Sequence, residues 1–257
     1  MMASGSGYFL RESVDLTFDV KRVSLYLIVP PVLAFIVYFE SYLSGVGATR
    51  IMTLGQRVML ALWNAAILLS LIAGLQGAGF FSRLFGSSWY RNSLALPAGR
   101  MHAFAWPVAV YAVLVSVFYG LTALAILLAM PRPSGFSWLP AVVNCYLPLL
   151  WSVAAAALFG MLSRPGASGL LFLATALMGA VTGLPQASGK LPEVVGFVLG
   201  VLFPRFGESF LASMELEASG HIEWAVPVHT AALFFVGACL FRLLYRKGRR
   251  SRHQSVM

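Results

Sequence analysis

The residues of this chain best suited to nucleophilic chemistry are Ser168 and His229. Ser168 lies in Gly166-Ala-Ser-Gly169, and His229 sits in the last apolar stretch, where it could serve as a general base. A serine that follows Arg164 and Pro165 at the start of a helix also has a plainer reading, as an N-cap among small residues at a tight turn. The four histidines, His102, His221, His229 and His253, do not form His-Glu-x-x-His or a similar ligand set, so no metal site is expected. Cys145 and Cys239 both fall inside apolar stretches and read as small buried hydrophobes rather than a disulfide or metal framework. No Gly-x-x-x-x-Gly-Lys-Ser/Thr loop occurs, so any energy from ATP has to come from a partner chain.

These residues must be positioned by elements made for lipid. Of 257 residues, 59% are hydrophobic and 11% charged, against about 25% charged in soluble domains. Mean hydropathy is +0.82. The chain is therefore read as an all-α integral membrane protein and one transmembrane domain over 1–257. A cytoplasmic N-terminus occupies 1–22, a six-helix bundle 23–245 and a basic tail 246–257. A helix needs about 20 apolar residues to span the hydrocarbon core. Six segments qualify: Val23 to Leu43, Val58 to Phe80, Ala103 to Met130, Leu139 to Leu162, Gly169 to Leu184 and Trp224 to Tyr245, the fifth being the shortest.

The formal charge of +9 would raise the question of nucleic acid in a soluble protein. Here the basic residues flank apolar spans, which points to topology and not to a nucleic acid partner. With the N-terminus inside, Arg50, Arg57, Arg132, Lys190 and Arg205 face outward, and the other 13 of the 18 Lys and Arg face inward. Both termini are expected in the cytoplasm. Just before the first span, Val14, Leu16, Phe18 and Val20 alternate as in a strand, while Leu16, Val20 and Val23 align at helical spacing. The position favours an interfacial elbow helix. Between the fifth and sixth spans, Pro185 to Glu223 carries five of the nine acids, and its apolar part, Val194 to Phe203, is too short to span. Short external helices are expected there.

Between the second and third spans lies an amphipathic island, Ser87 to Pro107. Wound as a helix, Trp89, Tyr90, Leu94, Leu96 and Pro97 fall on one arc, with Ser93 intruding, while Arg91 and Asn92 point the other way. Such an element can lie at the membrane surface and present a polar face to a soluble partner, or it can be an interfacial loop anchored by Trp89 and Trp106. Asn64, Gln76 and Asn144 are polar residues inside spans. They either hydrogen-bond between helices or line a path for cargo. Ala66, Ser70, Gly74 and Ala78, and likewise Thr175, Gly179 and Gly183, recur at spacing four and are read as packing seams.

The order of these features resembles the membrane subunit of ABC-2 type exporters. Asn92-Ser-Leu-Ala-Leu-Pro97-Ala-Gly-Arg100 is similar to that family's Leu-rich, Pro-ending stretch after the second helix, and Phe203 to Gly220 is similar to the segment leading into its last helix. Where many members carry a Glu and a Gly-Thr pair ahead of that stretch, this chain has Ser87-Ser88-Trp89-Tyr90. The resemblance implies an elbow helix, six spans, a cytoplasmic coupling helix between the second and third, and external helices before the sixth. It also implies a permease subunit, itself not an enzyme, working in export at a bacterial plasma membrane. Its partners would be lipid, an ABC ATP-binding subunit holding ATP and magnesium, and a second permease copy or paralogue. Trp89, Tyr90, Arg91, Asn92, Leu94, Leu96 and Pro97 would then touch the ATPase. A different resemblance follows from Gly166-Ala-Ser168-Gly169, which is similar to the serine motif of rhomboid intramembrane proteases. The His-x-x-x-Asn pattern of that family is missing here. A non-catalytic membrane scaffold is the third reading.

Overall fold

The computed structural model describes residues 11, 13–15, 26–28, 32, 54–87, 90, 100–129, 138–182 and 225–244. Among these there is no strand, and the regular elements are five helices. They are α1 (Leu54–Gly86), α2 (Arg100–Ala129), α3 (Trp138–Leu162), α4 (Pro165–Thr182) and α5 (Ala225–Leu244). Four hold stretches long and apolar enough to cross a membrane: Arg57–Gly86, His102–Ala129, Leu139–Leu162 and Val226–Leu244. A helix suits this setting because every interior backbone group is satisfied within the segment. Several hydroxyls follow the same rule. Ser116, Thr122, Ser152, Thr175 and Thr230 each donate to the carbonyl four residues back in their own helix, and Ser163, just past α3, donates likewise to Phe159, whereas the buried Ser70 hydroxyl has no partner among the described residues.

The pairing of side chains sets the directions. Gly77 faces Ala156 and Gly160 faces Phe81, so α1 and α3 run the same way. Gly74 lies against Phe172 and Ala78 against Ser168, so α4 runs opposite to α1. Phe80 stacks on Tyr111 and Phe85 on Phe104, so α2 also opposes α1. Phe85 meets Phe241, which brings the end of α5 to the end of α1. One end of the bundle thus gathers the C-termini of α1, α3 and α5 and the starts of α2 and α4. Arg83, Arg164 and Arg242 are exposed at that end.

α3 is the central helix, packed on all four others and most extensively on α1. The small-residue seam of α1 is real: Ala66, Ser70, Gly74 and Ala78 are all buried. A Cβ on Gly160 would lie 2.9 Å from both the Ala78 carbonyl oxygen and the Ser82 nitrogen, so only hydrogen lets these backbones approach so closely. Of the matching seam on α4, Thr175 is part-exposed and bonds its own helix, while the surroundings of Gly179 and all of Gly183 lie outside the described residues.

Several expectations shift. The fifth apolar helix starts at Pro165, four residues before Gly169, because Ser168 is inside it rather than ahead of it. Cys145 is buried, but Cys239 is exposed on the outward face of α5, which corrects the reading of both as buried. Of the first span, Tyr26, Leu27, Ile28 and Val32 are described, all helical. Tyr26 is fully buried, its ring stacked on Phe118 at 5.1 Å. Tyr111 donates its one proton to the Ala73 carbonyl at 2.8 Å, so Tyr26 is the donor in the 2.9 Å bond between the two hydroxyls. Arg11 and residues 13–15 are helical, while Leu16, Phe18, Val20 and Val23, on which the expectation of an elbow helix rests, lie outside the described residues. The external helices expected between Pro185 and Glu223, and the tail from 246, lie outside the described residues.

Candidate functional site

The island divides at its ends. α1 continues to Gly86, and α2 already begins at Arg100, so Arg100 to Pro107 belongs to the spanning helix and not to a separate surface element. At the exit from α1, the Ser87 hydroxyl donates to the Leu84 carbonyl at 2.8 Å and accepts the Tyr90 amide at 3.1 Å. That is the geometry of a helix N-cap: Ser87 stops α1 and opens a new turn in which Tyr90 is helical.

Tyr90 is then directed inward. It is 1% exposed, with ring centroids 5.4 Å from Phe85 of α1 and 6.4 Å from Phe241 of α5. Phe104 of α2 closes the group, 6.0 Å from Phe85 and 5.3 Å from Phe241. Gly237 makes room for it, since a Cβ there would lie 3.2 Å from the tip of the Phe104 ring. The Tyr90 hydroxyl donates to the Ala103 carbonyl. That carbonyl is special in sequence terms. In an α-helix it would accept the amide of residue 107, but residue 107 is proline and has no amide proton. A phenol from outside the helix fills the gap, as a buried carbonyl requires.

The expectation that Tyr90 contacts a partner is therefore corrected: with its ring and hydroxyl buried, it faces the core. Trp89, Arg91, Asn92, Leu94, Leu96 and Pro97 lie outside the described residues. Trp106 is not a headgroup anchor, because it packs against the core with its indole nitrogen buried and without a hydrogen-bond partner among the described residues. No family model, curated protein or solved structure matches this chain. The site must be judged on its own geometry.

The three polar residues expected to line a path are only partly brought together. The register of α1 against α3 sets Asn64 and Asn144 at one depth, while Gln76 lies twelve residues further along α1, about 18 Å of rise. Asn144 is 1% exposed, and Asn64 and Gln76 are half-buried. The Gln76 Oε1 is buried with no hydrogen-bond partner among the described residues.

Ser168 and His229 make separate hydrogen bonds. The Ser168 hydroxyl is fully buried, 2.8 Å from the Pro165 carbonyl and 3.1 Å from the Ala78 carbonyl, so it ties α4 to α1. The Nδ1 of His229 accepts the Trp151 indole proton at 2.9 Å, with the rings nearly parallel, 18° apart. Neither bond of Ser168 reaches an imidazole, and its proton goes to carbonyl oxygens, which cannot activate it as a base would. Among the described residues no group of three or more His, Cys, Asp or Glu could hold a metal ion.

Sequence reasoning missed the Trp151–His229 pair, which joins residues far apart in the chain and carries no local signal. The Tyr90 junction had one legible clue, the donor missing at Pro107.

Proposed function

We propose that this protein is the permease subunit of an ABC-2 type transporter, forming a translocation path across the membrane and driven by a separate ATPase. The observation that carries the reading is the junction at the arginine-bearing end of the bundle. There the chain leaving α1 is fastened through Tyr90 to three helices at once, so a force applied to that chain would move α1, α2 and α5 together. The apolar helices and the exposed Arg83, Arg164 and Arg242 at one end support a plasma-membrane protein with that end, and both termini, in the cytoplasm. The lack of a phosphate-binding loop supports ATP and magnesium being held by the partner.

In this mechanism ATP-driven closure of the partner pushes on the segment between α1 and α2, and rigid-body tilting of the spans alternates access. Trp89, Arg91, Asn92, Leu94, Leu96 and Pro97 would supply the contact surface, with Tyr90 beneath it. A second permease copy or paralogue completes the path, with Asn64, Gln76 and Asn144 as its polar lining, and the resemblance favours export. Co-purification with an ATPase encoded beside this chain tests the reading. Recovery of a stoichiometric complex is expected, and repeated failure with the ATPase well expressed would overturn it.

A further inference from the structure

We infer that Tyr90 and Pro107 form a latch at the root of α2, through which displacement of the chain following Tyr90 reaches α1, α2 and α5. Pro107 creates the acceptor by withholding the amide that the Ala103 carbonyl would otherwise take. Tyr90 supplies the replacement proton, and it is held on target from both sides. Its amide is fixed by Ser87, 3.1 Å away, and its ring by Phe85 and Phe241. The first turns of α2 are thus completed by a residue that belongs to the preceding connection. A proline-bearing helix start closed in this way can bend when that residue is displaced, whereas a continuous helix start would resist.

Tyr90 is accordingly a positioning residue: its ring and hydroxyl are buried against Phe85, Phe241 and the Ala103 carbonyl, and it acts through them. Its role in transmission rests on the permease reading, but the existence of the latch does not.

The test uses the full-length protein in lipid nanodiscs, alone and with its ATPase partner, carrying Tyr90→Phe, Pro107→Ala or both. Tyr90→Phe keeps the ring and removes only the hydroxyl. It should speed deuterium uptake in a peptide covering 100–108 about ten-fold, the usual consequence of leaving a buried carbonyl unsatisfied. Pro107→Ala restores the internal donor, so the double variant should return to nearly the original uptake. Permease-stimulated ATP hydrolysis should fall about five-fold in Tyr90→Phe and stay low in the double variant, where the helix start is whole but no longer tied to the connection. That split, protection rescued and coupling not, is what a merely structural tyrosine would not give.

Unchanged uptake in Tyr90→Phe, no rescue by Pro107→Ala, or stimulation restored along with protection would each overturn the latch. If Tyr90→Phe alone fails to fold, folding of the double variant is the rescue expected, and failure of both overturns the proposal. If no ATPase complex forms with the unmodified protein, the permease reading fails while the uptake cycle still decides the latch.

Discussion

α1 meets its neighbours in two contrasting ways. Along α3 it comes close enough at Gly77, Ala78, Ala156 and Gly160 for main chain to approach main chain, with nothing larger than the Cβ of Phe81 or Ala156 facing the glycines across the seam. At its C-terminal end it meets α2 and α5 through the rings of Phe85, Tyr90, Phe104 and Phe241. A close-packed small-residue seam has one arrangement and acts as a frame. The ring cluster is instead closed by a single hydrogen bond onto a proline-freed carbonyl, a contact that one displaced side chain would open. In the proposed mechanism the frame holds the bundle, and the ring cluster is where the partner's push would enter.

Substitutions should separate the two. The largest effect is expected at Gly160, where a Cβ would lie 2.6 Å from the Phe81 Cβ and 2.9 Å from main-chain atoms that cannot move independently. Gly160→Ala should cost about 3 kcal/mol, read as a lowered melting temperature in detergent, and Gly160→Leu should prevent folding. A seam that tolerated either would not be a frame. Gly74→Ala should cost less, about 1–2 kcal/mol, because its Cβ would overlap the Phe172 ring, which can swing aside, and Phe172→Leu in the same chain should recover part of the loss.

In the ring cluster, Phe241→Leu should cost about 1 kcal/mol while lowering permease-stimulated ATP hydrolysis out of proportion to that loss. Equal loss of stability and coupling there would erase the distinction between the two regions. The smallest effect is expected from Ser82→Ala. It removes a 2.6 Å bond to the Ser163 carbonyl at the frame's edge and should cost about 1 kcal/mol without touching coupling.

Much of the frame could be read from sequence, and the ring cluster could not. Spans for α1, α2, α3 and α5 follow from the length of apolar runs, and the α1 seam from small residues at spacing four, because both signals are local. The fate of Tyr90 is not local. On a helical wheel it shares an arc with Trp89, Leu94 and Leu96, and an apolar arc is equally suited to lipid, to a partner or to the core. Only the positions of Phe85 and Phe241 decide that it is core. For the same reason Cys239 and Cys145 look alike in sequence, yet one faces outward and the other inward. Trp106 and Trp151 look like interfacial or core filler, and nothing nearby marks Trp151 as the donor to His229.

The central claim is that the connection between α1 and α2 is the surface on which an ATPase acts. A photo-crosslinking side chain placed in turn at Trp89, Arg91 and Leu94, and for contrast at the exposed Val117 and Leu121 on the apolar face of α2, tests this directly. The account predicts adducts containing the ATP-binding subunit, identified by its peptides, from the first three positions only. Absence of those adducts in an intact complex, or equal yields from the α2 positions, would contradict it.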